Sequence, residues 1–143
     1  MSLSNTTEQN VALLIFNATA WVNMADNAAS SPLTNLYVAL HTADPGEAGT
    51  QSTSEATYTG YARVAVVRTS SGWTVSAGTV TNAAVVNFPA CTAGSSTCTY
   101  FSVGVASSGA TTIIASGALT ASLAVTAGIT PTAAIGALSI AFD

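Results

Sequence analysis

The sequence predicts a mainly β fold, an antiparallel β-sandwich of the jelly-roll or immunoglobulin-like type, with one N-terminal α-helix. Apolar residues recur at helical spacing in a single segment near the N-terminus. After it, short β-branched stretches alternate apolar and polar residues, and Gly, Pro and Asn separate them at intervals of about 8 to 12 residues. Roughly seven to nine short strands are expected on that pattern. A chain of 143 residues has the length of one domain, so residues 1–143 are assigned to a single core.

The predicted helix spans residues 6–26. Thr6 or Thr7 can cap its N-terminus, and Glu8 is favourable in the first turn. Its apolar face is wider than one stripe, which indicates that the helix is covered on more than one side, by a neighbouring subunit as well as by its own sheet. The residues expected at that interface are Val11, Leu14, Ile15, Phe16 and Trp21.

The β-sandwich is predicted over residues 36–143. Its first strand, 36–41, ends in a turn at 43–46, where Pro45 fixes φ and Gly46 accepts a positive φ. Further strands are predicted at 61–68, 73–76, 79–81, 84–88, 99–106, 112–119, 123–126 and 137–142. The polar segment 47–59 is predicted to be an exposed loop that contributes Glu47 and Glu55 to binding.

The shortage of charge excludes several classes of protein. Charged residues make up 6% of the chain, whereas ordinary soluble domains carry about 25%. There is no lysine, and Arg63 and Arg68 are the only cations, so neither nucleic-acid binding nor a polybasic membrane anchor is expected. The N-terminus has no basic region before its apolar stretch, and no apolar run approaches about 18 residues. We therefore expect no membrane segment, and synthesis in a cytoplasm.

Few residues can carry chemistry. His41 is the only group that titrates near neutral pH, and it either forms a dyad with Asp44 or bonds structurally near the adjacent turn. No metal-binding, phosphate-binding or cofactor motif occurs, so we expect no catalytic residues, no cofactor and no metal. One of the two arginines is expected to be partly buried with a carboxylate of the acidic loop.

Cys91 and Cys98 have six residues between them, which fits neither a redox pair nor half of a zinc site. They are either a cross-strand disulfide or two buried thiols.

The missing charge also predicts assembly. An uncharged surface on a free monomer risks association, so neighbours are expected to cover much of this molecule. We expect a homo-oligomer, with a trimer favoured, inside a larger particle.

Four segments together resemble a family of small tailed-bacteriophage virion proteins. They are LYVALHTADPG at 36–46, GYARVAV at 60–66, NAAVVNFP at 82–89 and YFSVGVASSG at 100–109. Proteins of this kind are labelled tail-fibre or minor tail proteins, and similar small sandwiches serve as head decoration proteins. The resemblance implies a non-enzymatic virion protein made in the host cytoplasm.

The favoured function is a decoration, or cement, protein on the capsid exterior that bridges subunits of the major capsid protein. The first alternative is a tail or tail-fibre component that contacts other virion proteins. An alternative of another class is a carbohydrate-binding module, in which an exposed Trp73 or Tyr100 would contact the sugar.

Overall fold

The computed structural model describes residues 3–25, 27 and 31–142. It contains one helix, α1 (Asn5–Asn17), and nine strands within those residues. The strands are β1 (Asn35–His41), β2 (Val64–Val67), β3 (Trp73–Ser76), β4 (Thr79–Asn82), β5 (Val86–Asn87), β6 (Ser95–Gly104), β7 (Ile113–Thr126), β8 (Thr132–Ala133) and β9 (Ser139–Ala141). The predicted mainly β architecture with an N-terminal helix is confirmed.

The strands form three antiparallel sheets. The main sheet has the order β2-β1-β6-β7, the second has β3-β4-β9, and β5 pairs with β8. Apolar side chains from the sheets and from α1 form one buried cluster between these layers. This arrangement is consistent with the predicted β-sandwich.

The first strand is buried on both faces towards its C-terminal end. Leu36, Val38 and Leu40 alternate into the apolar cluster, as a half-buried strand requires. Ala39 and His41 point to the other face and are also buried, because the segment that follows the turn folds over them. The backbone N–H of Ala56 donates to the carbonyl of Leu40 at 2.9 Å, which holds that segment against the strand.

The helix ends at Asn17, so the predicted span of residues 6–26 is too long. Ala18 adopts a left-handed conformation with φ 51°, and its N–H bonds back to the carbonyl of Leu13, which terminates the helix. The N-terminal cap is Ser4, whose hydroxyl accepts from the backbone N–H of Thr7 at 3.3 Å, rather than Thr6 or Thr7. The predicted end at residue 26 lies outside the described residues.

Trp21 lies in a tight turn after the helix. Trp21 and Ala25 exchange two backbone hydrogen bonds of 2.8 and 2.9 Å. Trp21 and Val22 continue the helical spacing of apolar residues, but the backbone has already turned away.

The helix packs on the second sheet through an aromatic cluster. Phe16 is fully buried and meets Trp73 edge-to-face with ring centroids 5.1 Å apart, and Phe142 at 6.2 Å. At the other end of the helix, the side-chain oxygen of Gln9 accepts from the N–H of Gly78 at 3.1 Å. Both ends of α1 are therefore fixed to the sheet.

The longest strand, β7, is continuous where two strands, 112–119 and 123–126, were predicted. Cys98 pairs with Leu123 and Tyr100 with Ala118, so β7 carries extra residues opposite a short step of β6. The predicted break is a bulge inside one strand. The short strand β8 was not predicted.

Truncating the aromatic side chain under the helix is expected to be severe. Phe16→Ala should lower the free energy of unfolding by about 3–5 kcal/mol, because it opens a cavity beneath Trp73. Val22→Ala, at a side chain 75% exposed, should stay within about 0.5 kcal/mol. Urea denaturation of both variants measures this, and similar losses would contradict the packing described.

Candidate functional site

The most elaborate polar feature of the molecule is a buried network around Arg63. The Arg63 side chain is 2% exposed and that of Glu55 is 17% exposed. Its Nε donates to one carboxylate oxygen of Glu55 at 2.7 Å and its Nη2 to the other at 2.8 Å, a two-pronged ion pair. The bond to Glu55 raises the pKa of Arg63. The predicted pairing of an arginine with a carboxylate of the acidic loop is confirmed.

The remaining guanidinium hydrogens bond to two loops. Their acceptors are the side chains of Gln51, Ser52 and Thr111 and the carbonyls of Ala106 and Gly109, at 2.8 to 3.4 Å. Each terminal nitrogen has several acceptors, so the guanidinium is engaged inside the protein on all sides. Arg63 thus ties the segment 51–55 to the segment 106–111.

Gln51 carries the network to the centre of the main sheet. Its Nε2 donates to the carbonyl of Tyr37 at 2.9 Å and to the hydroxyl of Ser102 at 3.4 Å. A Cβ at Gly104 would lie 2.2 Å from the amide of Gln51, so a side chain there would displace Gln51 from the network. This glycine is therefore needed for close approach and not for an unusual φ.

His41 completes the network. Its Nδ1 lies 2.8 Å from the carbonyl of Thr53, which can only accept, so Nδ1 carries the proton. Its Nε2 then accepts from the Ser102 hydroxyl at 2.8 Å. Burial lowers the pKa of His41 below its usual 6.5 and keeps the ring neutral.

The two alternatives for His41 are resolved by these partners. Asp44 accepts from the backbone N–H of Gly46 at 2.9 Å and forms a local turn, whereas His41 bonds to Thr53 and Ser102. His41 has a structural role, although its partners come from more distant segments than the adjacent turn.

Tyr61 links the network to the backbone of the first strand. Its hydroxyl donates to Glu55 Oε1 at 3.0 Å and accepts from the N–H of Leu40 at 3.0 Å. Burial raises the pKa of Tyr61 well above its ordinary value. Glu55 therefore accepts from both Arg63 and Tyr61.

The segment 47–59 is only partly the exposed loop that its composition predicted, because three of its side chains are buried while residues such as Glu47 and Thr57 are exposed. Gln51, Ala56 and Tyr58 are buried, with 0%, 3% and 2% of their surfaces exposed. The Tyr58 hydroxyl donates to the carbonyl of Pro89 at 3.0 Å, and burial raises the pKa of Tyr58 to about 12. Gln51 and Glu55 are turned inwards because their side chains bond to Arg63.

Arg68, the other cation, caps the C-terminal end of α1. Its Nη2 donates to the carbonyl of Leu14 at 2.6 Å and its Nε to that of Ile15. These carbonyls belong to the last turn, where helices lack internal donors and where positive charge is favourable. Nη1 also reaches the carbonyl of Leu33 at 3.3 Å, so Arg68 holds the helix and the chain entering β1 together.

Cys91 and Cys98 are buried free thiols in this structure. The Cys91 Sγ lies 3.3 Å from the carbonyl of Ala93, and burial raises the pKa of the Cys98 thiol. Both belong to the apolar cluster.

The residues predicted at an interface fall into three groups. Val11, Leu14, Ile15 and Trp21 are half-buried and Glu47 is exposed, so their interface role stays a prediction. Glu55 is engaged by Arg63 within the chain. Phe16 is fully buried under its own helix, so its side chain is not on the surface.

A carbohydrate-binding module would need Trp73 to be exposed, and this expectation is wrong because Trp73 is fully buried. Tyr100 is half-buried in β6.

Across the described residues, no three His, Cys, Asp or Glu side chains lie close enough to hold a metal ion. No helix in that part of the chain is long and apolar enough to span a membrane.

The chain matches a known protein family over nearly its whole length. A family model described as podophage GP4 fiber I protein gp80 matches residues 2–141. The chain belongs to this family. No curated protein matches the chain. As a member of a phage fibre family the chain is a virion structural protein, which confirms the family resemblance of the four sequence segments.

Within this fibre-family protein, sequence reasoning missed Gln51, Ser102 and Thr111 as members of the network. Hydroxyl and amide residues are frequent throughout the chain, and nothing in the local sequence distinguishes these three. Only the fold brings them together.

Removing one partner of the buried ion pair should be costly. Glu55→Gln keeps the shape of the side chain but leaves the Arg63 charge uncompensated, so the free energy of unfolding should fall by about 3–5 kcal/mol. Glu47→Gln makes the same change at an exposed acid and should cost less than about 0.5 kcal/mol. Equal costs in denaturant titrations would show that the pair is not buried.

Stability should depend on pH through His41, the only histidine. The unfolded chain takes up a proton near pH 6.5, whereas the folded chain resists it until a lower pH. The free energy of unfolding should therefore be level above about pH 6.5. Between pH 6.5 and the lower pKa of the folded state it should fall by up to about 1.4 kcal/mol per pH unit.

His41→Gln removes the titrating group and should give a less stable protein with a flat profile from about pH 7.5 to 5.5, above the range where carboxylates titrate. Thermal denaturation across this range tests it. An unchanged slope in the variant would assign the effect to another group.

Proposed function

We propose that this chain is a non-enzymatic structural subunit of the phage fibre apparatus that acts by binding other virion proteins. The observation that carries this proposal is the internal engagement of both cations, Arg63 by Glu55 and two loops, and Arg68 by the helix. The exterior of the described residues therefore carries little charge and presents mainly hydroxyl and apolar groups. Such a surface suits contact with neighbouring proteins.

A non-enzymatic role is supported by the state of the polar network. A cleft of about 280 Å³ lies beside it, lined by Glu55, Tyr61 and Arg63 among others. A catalytic group there would need a free proton or lone pair directed at a substrate. Glu55 and Arg63 are instead held by each other and by the loops, and His41 is held by the carbonyl of Thr53 and the hydroxyl of Ser102. The network rigidifies the loops at this end of the main sheet.

The description of the family as a fibre protein favours the fibre over the capsid surface. Capsid decoration, the location that the sequence favoured, is the second candidate. A neutral, hydroxyl-rich exterior suits contact with the major capsid protein equally well, so the surface alone does not separate the two. In either location we infer that the chain also contacts further copies of itself.

Location and copy number in purified virions test the proposal. Gold-labelled antibody should decorate projecting fibres, and quantitative mass spectrometry should find few copies relative to the major capsid protein. Label spread over the head with hundreds of copies would assign the chain to capsid decoration. Absence from purified virions would overturn both locations.

A further inference from the structure

The side-chain amide of Gln51 is held in one orientation inside the Arg63 network. Its Nε2 donates to the carbonyl of Tyr37 at 2.9 Å and to the hydroxyl of Ser102 at 3.4 Å. Its Oε1 accepts from Arg63 Nη1 at 3.3 Å and from the hydroxyl of Thr111 at 3.1 Å. A guanidinium cannot accept and a carbonyl cannot donate, so the amide cannot turn over. Gln51 therefore directs its oxygen at two donors and its nitrogen at a serine.

A serine and a histidine are paired against this amide. His41 Nε2 accepts from the Ser102 hydroxyl at 2.8 Å, and Nδ1–H of the same ring donates to the carbonyl of Thr53 at 2.8 Å. A hydroxyl bonded to a histidine, which a second acceptor orients, is the arrangement that activates serine as a nucleophile. Burial lowers the pKa of His41, so its ring is neutral at neutral pH and Nε2 can take up the hydroxyl proton.

The electrophile beside this serine is Cδ, the carbonyl carbon of Gln51. Cδ is bonded directly to Nε2, the atom that contacts the Ser102 hydroxyl. Gly104 packs against the amide without a side chain, since a Cβ there would lie 2.2 Å from Cδ. Arg63 and Thr111 donate to Oε1, where negative charge would develop during attack on Cδ. Donors placed at such an oxygen stabilise the tetrahedral intermediate of acyl transfer.

The reacting groups are enclosed by the protein. His41, Gln51 and Ser102 are all 0% exposed. Fixing a nucleophile next to its electrophile raises the effective concentration of the two groups far above any value in solution. Exclusion of water strengthens the interaction of the donors with the developing charge and protects an acyl product from hydrolysis.

We propose that Ser102 and Gln51 form an intramolecular ester cross-link. Ser102 Oγ attacks Gln51 Cδ while its proton passes to His41 Nε2. The tetrahedral intermediate carries its negative charge on Oε1. When the carbonyl re-forms, the Cδ–Nε2 bond breaks, and the proton on His41 passes to the leaving nitrogen, which departs as ammonia. One hydroxyl and one amide thus give one ester and one ammonia, and the step consumes no oxidant or co-reactant.

The link joins the segment 51–55 covalently to β6, an inner strand of the main sheet. A covalent bond between distant residues restricts the unfolded chain, as a disulfide does, whereas both cysteines of this chain are free thiols. The reaction occurs once in each chain and acts on no other molecule, so it is compatible with a structural protein. It depends on the buried network and not on the proposed location in the virion.

Intact-mass spectrometry of the purified full chain tests the proposal, because the cross-link removes the mass of one ammonia. The wild type should lose that mass during incubation at neutral pH, and Ser102→Ala should keep its full mass. Ser96→Ala is the matched control. Ser96 is a buried serine of the same strand whose hydroxyl accepts from the N–H of Thr57 at 3.1 Å, and this variant should react like the wild type. Circular dichroism establishes that each variant folds.

Peptide mapping locates the bond. A digest of the reacted wild type should contain a peptide with residue 51 joined to a peptide with residue 102. Hydroxylamine, which cleaves esters far faster than amides, should separate them after unfolding and leave a hydroxamate at residue 51. Thr111→Val keeps the nucleophile and the base but removes one donor to Oε1, so it should slow the loss of ammonia at least about tenfold. This variant provides the test if Ser102→Ala does not fold.

Four results would overturn the proposal. They are a wild type that keeps its full mass after prolonged incubation, ammonia loss that persists in folded Ser102→Ala, an unchanged rate in Thr111→Val, and a link that maps to another hydroxyl. None of these results bears on whether the chain is present in virions, which the particle analysis decides separately.

Discussion

The fold depends on two arginines, the only lysine or arginine residues in the chain. Their side chains satisfy backbone and side-chain acceptors from several separate segments. Arg63 joins the segments 51–55 and 106–111 over the end of the main sheet, and Arg68 fixes the last turn of α1 against the start of β1. A guanidinium can serve several acceptors at once in fixed directions, which a lysine cannot do. In a sequence without lysine, these two side chains connect the elements that the apolar core alone does not hold.

Because both arginines are engaged inside the protein, its surface carries little charge. Glu55 is mostly buried with Arg63, so one of the few acidic side chains is also removed from the surface. The rest of the described surface consists mainly of hydroxyls, apolar side chains and, along β7, open backbone groups. Such an exterior favours contact with protein over isolation in water, in accord with membership of a family of phage fibre proteins. The small number of charged residues thus accounts both for the buried arginines and for a surface suited to protein contacts.

Much of the β architecture was predictable, because alternation of apolar residues directly reports a strand with one buried face. The length of α1 was not, since Trp21 and Val22 keep the helical spacing while Ala18, an unremarkable residue, turns the backbone. The pairing of an arginine with the acidic loop followed from the scarcity of charges. The other members of the network, Gln51, Ser102 and His41, come from separate segments and are all buried, although Gln51 lies in a segment that was predicted to be exposed. Tertiary contacts decided those positions.

The most direct test of this account is the state of the two arginine side chains in solution. Nitrogen-15 spectra of the folded protein contain two arginine Nε–H signals, free of overlap from other arginines. The account predicts two signals well separated from the random-coil position and slow to exchange with water at neutral pH, because Arg63 donates to Glu55 and Arg68 to the carbonyl of Ile15. Two overlapping signals at the random-coil position that exchange rapidly with water would contradict it.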